Sequence, residues 1–256
     1  MRKNEMLRLS LTLLGISIGL GISQLAAQRN IQDSIISMSM IDFSLGAHIP
    51  AGDISERFGE NGFLGASYHY KTGSNWVFGL EGGFIFGNKV KEDVAVNIRT
   101  SEGFVIDQEG GFTELLLLER GMTLVGTVGR VIPLFGPNDN SGLVVRLGGG
   151  MLQHNIRLET RNNDVPQLEG EYLKGYDRLS NGFSAYQFIG YQLLSNNRLV
   201  NLTIGLEGYQ AWTQSRRDFN FDLMRKDDSK RLDSLYGVKV SWSFPIYRRS
   251  AGKFYR

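Results

Sequence analysis

Apolar and polar residues alternate with a period of two along most of this chain, and this alternation constrains the fold more than any other feature. The best example is segment 76–86, where one face of an extended strand carries Trp76, Phe78, Leu80, Phe84 and Phe86. Neighbouring side chains of a strand point to opposite faces, whereas the apolar stripe of a helix recurs every three to four residues. The sequence therefore predicts an all-β chain whose strands have one apolar and one polar face.

Eight segments are long enough to cross a bilayer as tilted strands, which takes about 9–11 residues each. These predicted strands are residues 36–50, 62–71, 75–88, 120–133, 142–158, 182–194, 199–213 and 232–246. Past residue 28 the longest strongly apolar run is 115–118, which is too short for a membrane-spanning helix. The 32 glycines and 5 prolines suit extended segments joined by sharp turns.

The connections between these segments alternate in length. Three are short, at residues 72–74, 134–141 and 195–198. Four are longer and polar, at residues 51–61, 89–119, 159–181 and 214–231. Outer-membrane barrels have short turns on one side and long loops on the other, which a soluble β-sandwich does not need. We predict a single antiparallel transmembrane β-barrel of about eight strands with up-and-down topology, whose two ends lie with the short turns in the periplasm.

The two faces of the predicted strands differ in chemistry. The aromatic residues expected to face lipid are Trp76, Phe78, Phe84, Phe86, Trp212, Trp242 and Phe244. The opposite face carries the charged residues Asp42, Glu81, Arg146, Glu207 and Lys239, together with His48, His69 and His154. The fourth and sixth strands alternate less regularly, so the pattern does not assign Arg130, Gln187 or Phe188 to either face.

An eight-stranded barrel has an interior that side chains fill. Charges placed there are tolerated when opposite charges pair and form hydrogen bonds. The charged face therefore predicts an ion-pair network that plugs the barrel. The alternative interpretation of the same residues is a path for protons or ions.

The first residues have the order of a secretory signal peptide. Basic residues Arg2, Lys3 and Arg8 precede an apolar stretch of about 14 residues and a small-residue site that ends at Ala27. We predict cleavage there, so that residues 1–27 are the signal peptide; the alternative is an uncleaved membrane helix. The remainder has 25 Lys and Arg against 25 Asp and Glu, because cleavage removes three basic residues and Glu5. This balance excludes a nucleic-acid-binding protein, and the absence of cysteine excludes disulfides and thiolate sites.

No catalytic, cofactor or metal site is predicted, and the chain is not expected to be an enzyme. His154 and His48 lie near the expected outer rim, and Ser44 and Ser184 are available, but no spacing joins them into a base and nucleophile. The glycines at 148–150 lack the Lys-Ser/Thr of a phosphate loop. The segment 138–140 lacks the glycine and distant glutamate of a calcium loop.

Two charged segments are candidates for partner binding. The fourth long loop carries Arg216, Arg217, Asp218, Lys226, Asp227 and Asp228. Such charge runs are usually a solvated surface, and the alternative is a contact with a protein or with lipopolysaccharide. The barrel is expected to span 28–247, and residues 248–256 to form a basic periplasmic tail with Arg248, Arg249, Lys253 and Arg256.

The signal peptide, the alternation of loop lengths and the end of the last strand, residues 240–247, together resemble the small outer-membrane barrels of the OmpA/OmpX type. The resemblance covers nearly the whole mature chain and is architectural rather than based on a motif. It implies a structural, adhesive or complex-assembly role in the bacterial outer membrane. The expected partners are membrane lipid, lipopolysaccharide and other envelope or secretion-system proteins. The alternatives are a narrow solute channel and a lipid-modifying enzyme.

Overall fold

Each predicted strand segment is extended in the computed structural model, which describes residues 34–161, 165–196 and 200–247. In chain order the elements are β1 (Met38–Gly52), α1 (Ile54–Arg57), β2 (Asn61–Lys71), β3 (Trp76–Gly87), β4 (Val105–Ile106), β5 (Phe112–Thr113), β6 (Leu115–Ile132), β7 (Gly142–Thr160), a 3-10 turn (Pro166–Leu168), α2 (Gly170–Leu173), β8 (Ser180–Leu194), β9 (Asn201–Ser215) and β10 (Lys230–Tyr247). The predicted signal peptide and basic tail lie outside the described residues.

Eight of these strands close into a barrel. Around the ring the order is β1, β10, β9, β8, β7, β6, β3 and β2. The remaining two, β4 and β5, form a separate two-stranded hairpin within the loop that follows β3. Because consecutive barrel strands are antiparallel neighbours, the predicted up-and-down barrel of eight strands is confirmed. None of the helices in the described residues has the length and apolar character needed to cross a bilayer.

Strand β6, which corresponds to the fourth predicted strand, begins five residues earlier than the sequence predicted. The apolar run at 115–118 was expected in a long loop, but it is the first part of β6 and pairs with the end of β7, with Leu115 opposite Thr160. Four consecutive leucines have no alternation, so the period-two pattern could not recognise them as part of a strand. Strand β6 is therefore five residues longer at this end than predicted, and every other barrel strand except β3 also extends one or two residues further towards the long loops.

The two ends of the barrel differ as the loop lengths predicted. The short connections 72–75 and 133–141 lie at one end together with the described residues 195–196 and 200 of the third, and we call this end the turn end. The connections 53–60, 88–114 and 216–229 lie at the other end together with the described residues 161 and 165–179, and we call this end the loop end.

The outer wall is apolar and the interior is polar. The seven predicted lipid-facing aromatic residues are 42–57% exposed on the outer wall. Arg130 also lies outside, with its guanidinium 5.7 Å from the ring centre of Trp76. Phe188, which the sequence pattern did not place, is buried inside the barrel, whereas Gln187 is partly exposed on the outer wall.

Candidate functional site

The centre of the barrel is occupied by Lys239, which reaches two carboxylates on other strands. Its Nζ lies 2.9 Å from Glu81 Oε2 and 2.7 Å from Glu207 Oε2, and it donates a 2.5 Å hydrogen bond to the hydroxyl oxygen of Tyr186. All four side chains are buried. One ammonium group therefore ties together three strands of the ring, β3, β8 and β9, from its own position on β10.

Towards the turn end the network continues through a histidine. His69 Nδ1 lies 2.5 Å from Asp42 Oδ2, and Arg146 Nη1 lies 2.9 Å from His69 Nε2. His69 Nε2 also lies 3.3 Å from Glu81 Oε1, so the imidazole contacts Asp42, Glu81 and Arg146 at once. Arg146 also lies 3.6 Å from Glu81 Oε1 and 4.3 Å over the ring of Phe188. The five charged residues predicted to face the lumen are therefore in one connected cluster.

Towards the loop end the same cluster continues through His48 to Asn61 and Glu119, two residues that the sequence did not single out. His48 Nε2 lies 3.0 Å from Glu207 Oε1, and its Nδ1 lies 3.2 Å from Asn61 Oδ1. Asn61 Nδ2 donates to both oxygens of Glu119, at 3.0 and 3.2 Å. Asn61 and Glu119 fell at the last positions of two predicted loops, so their inward position was missed. An amide does not relay protons as a carboxyl or an imidazole does, so Asn61 interrupts the chain of titratable groups.

The turn end is closed by the segment that leads into β1. Asn140 Oδ1 accepts hydrogen bonds from the backbone N–H of Ile36 at 3.0 Å and from Lys71 Nζ at 2.9 Å. Asn140 Nδ2 donates to the carbonyl of Ser34 at 2.9 Å. Lys71 also donates to the carbonyl of Ile36 at 3.2 Å. Residues 34–36 are thereby held against the turn between β6 and β7.

His154, a candidate for outer-rim chemistry, is enclosed near the loop end. Its Nε2 lies 2.9 Å from Asp233 Oδ2, and the ring of Phe58 packs edge-on against it at 5.6 Å. Its Nδ1 has no hydrogen-bond partner among the described residues. A base that activates a nucleophile must be within hydrogen-bond reach of it.

The candidate serines are engaged elsewhere. Ser184 Oγ donates to the carbonyl of Ala185 at 3.2 Å, and Ser44 Oγ lies 2.8 Å from Ser241 Oγ. In the part of the chain that the structure describes, neither His48 nor His154 is paired with a serine, and no group of three or more acidic or histidine side chains is arranged to hold a metal ion.

The long loops are joined to one another by partly buried ion pairs. Glu92 accepts from Arg57 Nε at 2.6 Å and from Arg178 Nε at 2.9 Å. Arg178 Nη2 lies 2.5 Å from Asp222 Oδ2. These four residues, which we call the loop clasp, come from four different loop-end connections. The loop end is therefore held as one surface rather than as four independent loops.

The predicted partner loop is partly used by this internal bonding. Arg217 pairs with Asp177, and this hydrogen bond raises the pKa of Arg217. Burial is the largest single influence on Asp227 and works to raise its pKa, but the hydrogen bonds from Arg231 at 2.7 Å and from Ser229, together with the charge of Arg231, outweigh it and hold that pKa below its usual value. Lys226 and Asp228 form an exposed pair at 3.4 Å. Arg216 and Asp218 are exposed.

Together, the closed ring of eight antiparallel strands, the polar interior and the apolar outer wall define a small β-barrel with the architecture of the OmpA/OmpX-type proteins, as the sequence predicted. No family model matches the sequence, and no curated protein matches it.

The solved structures that the chain resembles include two bacterial barrels. One is Ail, the attachment invasion locus protein of Yersinia pestis, with a TM-score of 0.37 and 10% identity over 81% of this chain and 98% of that chain, in a complex with the heparin analogue sucrose octasulfate. The other is the N-terminal β-barrel domain of Pseudomonas aeruginosa OprF, with a TM-score of 0.33 and 11% identity over 80% of this chain and 97% of that chain.

Proposed function

We propose that this protein is an integral barrel of the bacterial outer membrane that acts as a structural or docking component, with its long loops presented to a partner at the cell surface. The outer wall supports the membrane location. On β10 the exposed outward residues are Tyr236, Val238, Val240, Trp242, Phe244 and Ile246. Ten residue steps extend about 33 Å along a strand, and at a tilt of about 40° they cover about 25 Å, the height of the apolar band of such barrels.

The filled interior supports a scaffold rather than a channel. Lys239, Glu81, Glu207 and Tyr186 occupy the centre, and Asn140 holds residues 34–36 across the turn end. A solute would have to displace paired, buried charges, and breaking such pairs costs several kcal/mol. The enclosed His154 likewise favours a protein without catalytic chemistry at the outer rim.

The observation that carries the docking role is a set of apolar side chains exposed on the loop end. Ile106 and Phe112 face each other across the β4–β5 hairpin and are 50% and 65% exposed. The ring of Phe104 lies 6.1 Å from that of Phe112. We call these three residues the hairpin patch. Exposed apolar side chains grouped in this way mark interaction surfaces, and the kind of partner that fits is another envelope or secretion-system protein.

The membrane location is tested by fractionation together with heat modifiability on gels. The expected result is that the protein sediments with outer membranes and that boiled and unboiled samples migrate differently. Identical migration and recovery in the soluble periplasmic fraction would overturn the barrel's proposed location.

The docking role is tested by affinity purification of the tagged protein from outer membranes. We expect a stoichiometric partner that is lost with the double variant Ile106→Ser/Phe112→Ser. The matched control is Leu134→Ser/Phe135→Ser, which changes two exposed apolar residues at the turn end. If the control loses the partner and the hairpin variant retains it, docking through the loops is wrong. If loss instead follows Arg248→Ala/Arg249→Ala, the contact is made by the tail.

A further inference from the structure

A groove on the outer wall, at the loop end of β8, β9 and β10, combines two kinds of chemistry. It has a volume of about 580 Å³, and we call it the rim groove. Its lining includes two aromatic residues, Phe183 and Trp212, and three cationic residues, Arg216, Lys230 and Arg231. The aromatic residues lie further from the loop end, and the cationic residues lie where the strands pass into the fourth long loop.

The aromatic part of the rim groove is a flat, open floor. The rings of Phe183 and Trp212 are stacked, with centres 6.2 Å apart and planes inclined by 18°, and their side chains are 61% and 57% exposed. Gly182 lies beside them in the lining. A Cβ at this position would collide with the carbonyl oxygen of Trp212, so the strands can approach here only because residue 182 has no side chain.

The cationic part of the rim groove has more positive charge than its own carboxylates balance. Arg216 and Lys230 are exposed, and neither has a carboxylate partner among the described residues. The Nε of Arg216 donates to Asn181 Oδ1 at 2.6 Å, which fixes the side chain beside the groove. Asp53, the one carboxylate in the lining, already accepts a hydrogen bond from the backbone N–H of Leu232 at 2.7 Å. Arg231 is paired with Asp227 at 2.7 Å.

We infer that the rim groove binds a phosphorylated glycolipid of the outer leaflet, with its phosphate on Arg216 and Lys230 and its acyl chains against Phe183 and Trp212. This inference rests on the proposed outer-membrane location and is independent of the docking role. Guanidinium and ammonium groups bind phosphate strongly. A small soluble anion would leave the exposed aromatic floor uncovered. An amphiphile, by contrast, can place its phosphate on the cationic part, near the loop end, and its acyl chains on the aromatic part, further along the barrel wall.

Trp212 is a natural reporter for this site. The other two tryptophans, Trp76 and Trp242, are near the turn end, so Trp76→Phe/Trp242→Phe leaves one tryptophan at the groove. The protein is folded into phosphatidylcholine vesicles that contain increasing mole fractions of diphosphorylated lipid A. We expect a saturable change in Trp212 emission at low mole fraction, and a midpoint at least tenfold higher with fully dephosphorylated lipid A.

The charge requirement is tested with Arg216→Ala/Lys230→Ala in the same background. Each cation near an anionic lipid surface strengthens the binding, so removing two is expected to raise the midpoint mole fraction of lipid A by about tenfold or more. The matched control is Arg157→Ala/Lys174→Ala, which removes one arginine and one lysine that are 59% and 51% exposed at the loop end outside the groove. The control is expected to shift the midpoint by less than about twofold.

Two outcomes would overturn the inference: equal midpoints for phosphorylated and dephosphorylated lipid A, or equal shifts for the groove variant and its control. Heat modifiability of the same samples reports whether the barrel is folded in the bilayer. A folded, heat-modifiable barrel without saturable binding contradicts only the lipid site, whereas loss of heat modifiability in the unmodified protein contradicts the proposed location.

Discussion

Lys239 on β10 and Glu81 on β3 meet inside the barrel with Nζ and Oε2 2.9 Å apart, although two other strands separate β10 from β3 around the ring. The backbone hydrogen bonds of a barrel join only neighbouring strands, so this pair braces the ring across its interior. Glu207 shares the same ammonium group at 2.7 Å.

Replacing Lys239 with Met is expected to lower the free energy of unfolding by about 3–5 kcal/mol, because it removes the cation shared by two buried carboxylates and leaves Glu81 with only the more distant Arg146 at 3.6 Å. The double variant Glu207→Gln/Lys239→Met removes one acid together with the base, and its loss is expected to be smaller than the sum of the two single losses. Chemical unfolding in phosphatidylcholine vesicles measures both. Additivity within about 0.5 kcal/mol would show that the residues do not interact.

Purified protein is expected to give no stable single-channel current in planar bilayers, because buried side chains fill the lumen and residues 34–36 are held across the turn end. Reproducible current steps from the unmodified protein would contradict a filled barrel and favour the narrow channel. Arg146→Ala/Tyr186→Ala removes two large buried side chains and serves as the comparison, with more frequent openings expected if the fold is retained.

Gly150→Ala is expected to destabilise the barrel by about 3 kcal/mol, at the upper end of the range for added core methyl groups. A Cβ at Gly150 would collide with the backbone carbonyl oxygen of Leu124 on β6. Gly126 on the facing strand is the matched control, since its nearest neighbour, the carbonyl oxygen of Gly149, would be 3.9 Å from the new Cβ. Equal unfolding midpoints for the two alanine variants would contradict this account of the close strand approach.

Glu92→Ala is expected to loosen the loop end by removing the carboxylate shared by Arg57 and Arg178. Hydrogen bonds to charged groups contribute about 1.5–3 kcal/mol, so chymotrypsin cleavage at loop residues such as Phe219 should accelerate by about tenfold or more. Glu171→Ala removes an acid from an exposed pair with Lys174 and is expected to leave the rate unchanged. Comparable cleavage rates for the two variants would mean that the loop clasp does not hold the surface.

Neither His154→Ala nor Ser184→Ala is expected to alter the acyl chains of lipid A in cells that express the variants. His154 is covered by Phe58, and Ser184 Oγ is bonded to the carbonyl of Ala185. Mass spectrometry of extracted lipid A is the measurement, with a strain that lacks the gene as the reference. A change in acylation that depends on either residue would establish an enzyme.

The sequence predicted the fold because the strongest strands alternate large apolar residues with small or charged ones. In β3 and β10 the bulk of Trp76, Phe78, Trp242 and Phe244 marks the outer wall without any knowledge of neighbours. In β8 both faces carry large side chains, so Tyr186 and Phe188 could be placed inside only once the pairing with β9 was known.

The contacts within the site were less predictable than the residues. Charged inward positions follow from alternation, but the partners depend on how strands are staggered around the ring. Asn61 lies 58 residues from Glu119, and Glu92 lies 86 residues from Arg178. Such pairs connect loops or strand ends whose local patterns have no period, and no spacing in the sequence indicates them.

The hold of Asn140 on residues 34–36 also has a consequence for assembly. In the ring, β1 and β7 are opposite each other, four strands apart in either direction. The segment before β1 therefore crosses the mouth to reach the turn that leads into β7. An intermediate that had inserted only its first three strands would lack this bridge, so the mouth seals only after the middle hairpin has arrived, and water can escape from the nascent lumen until then.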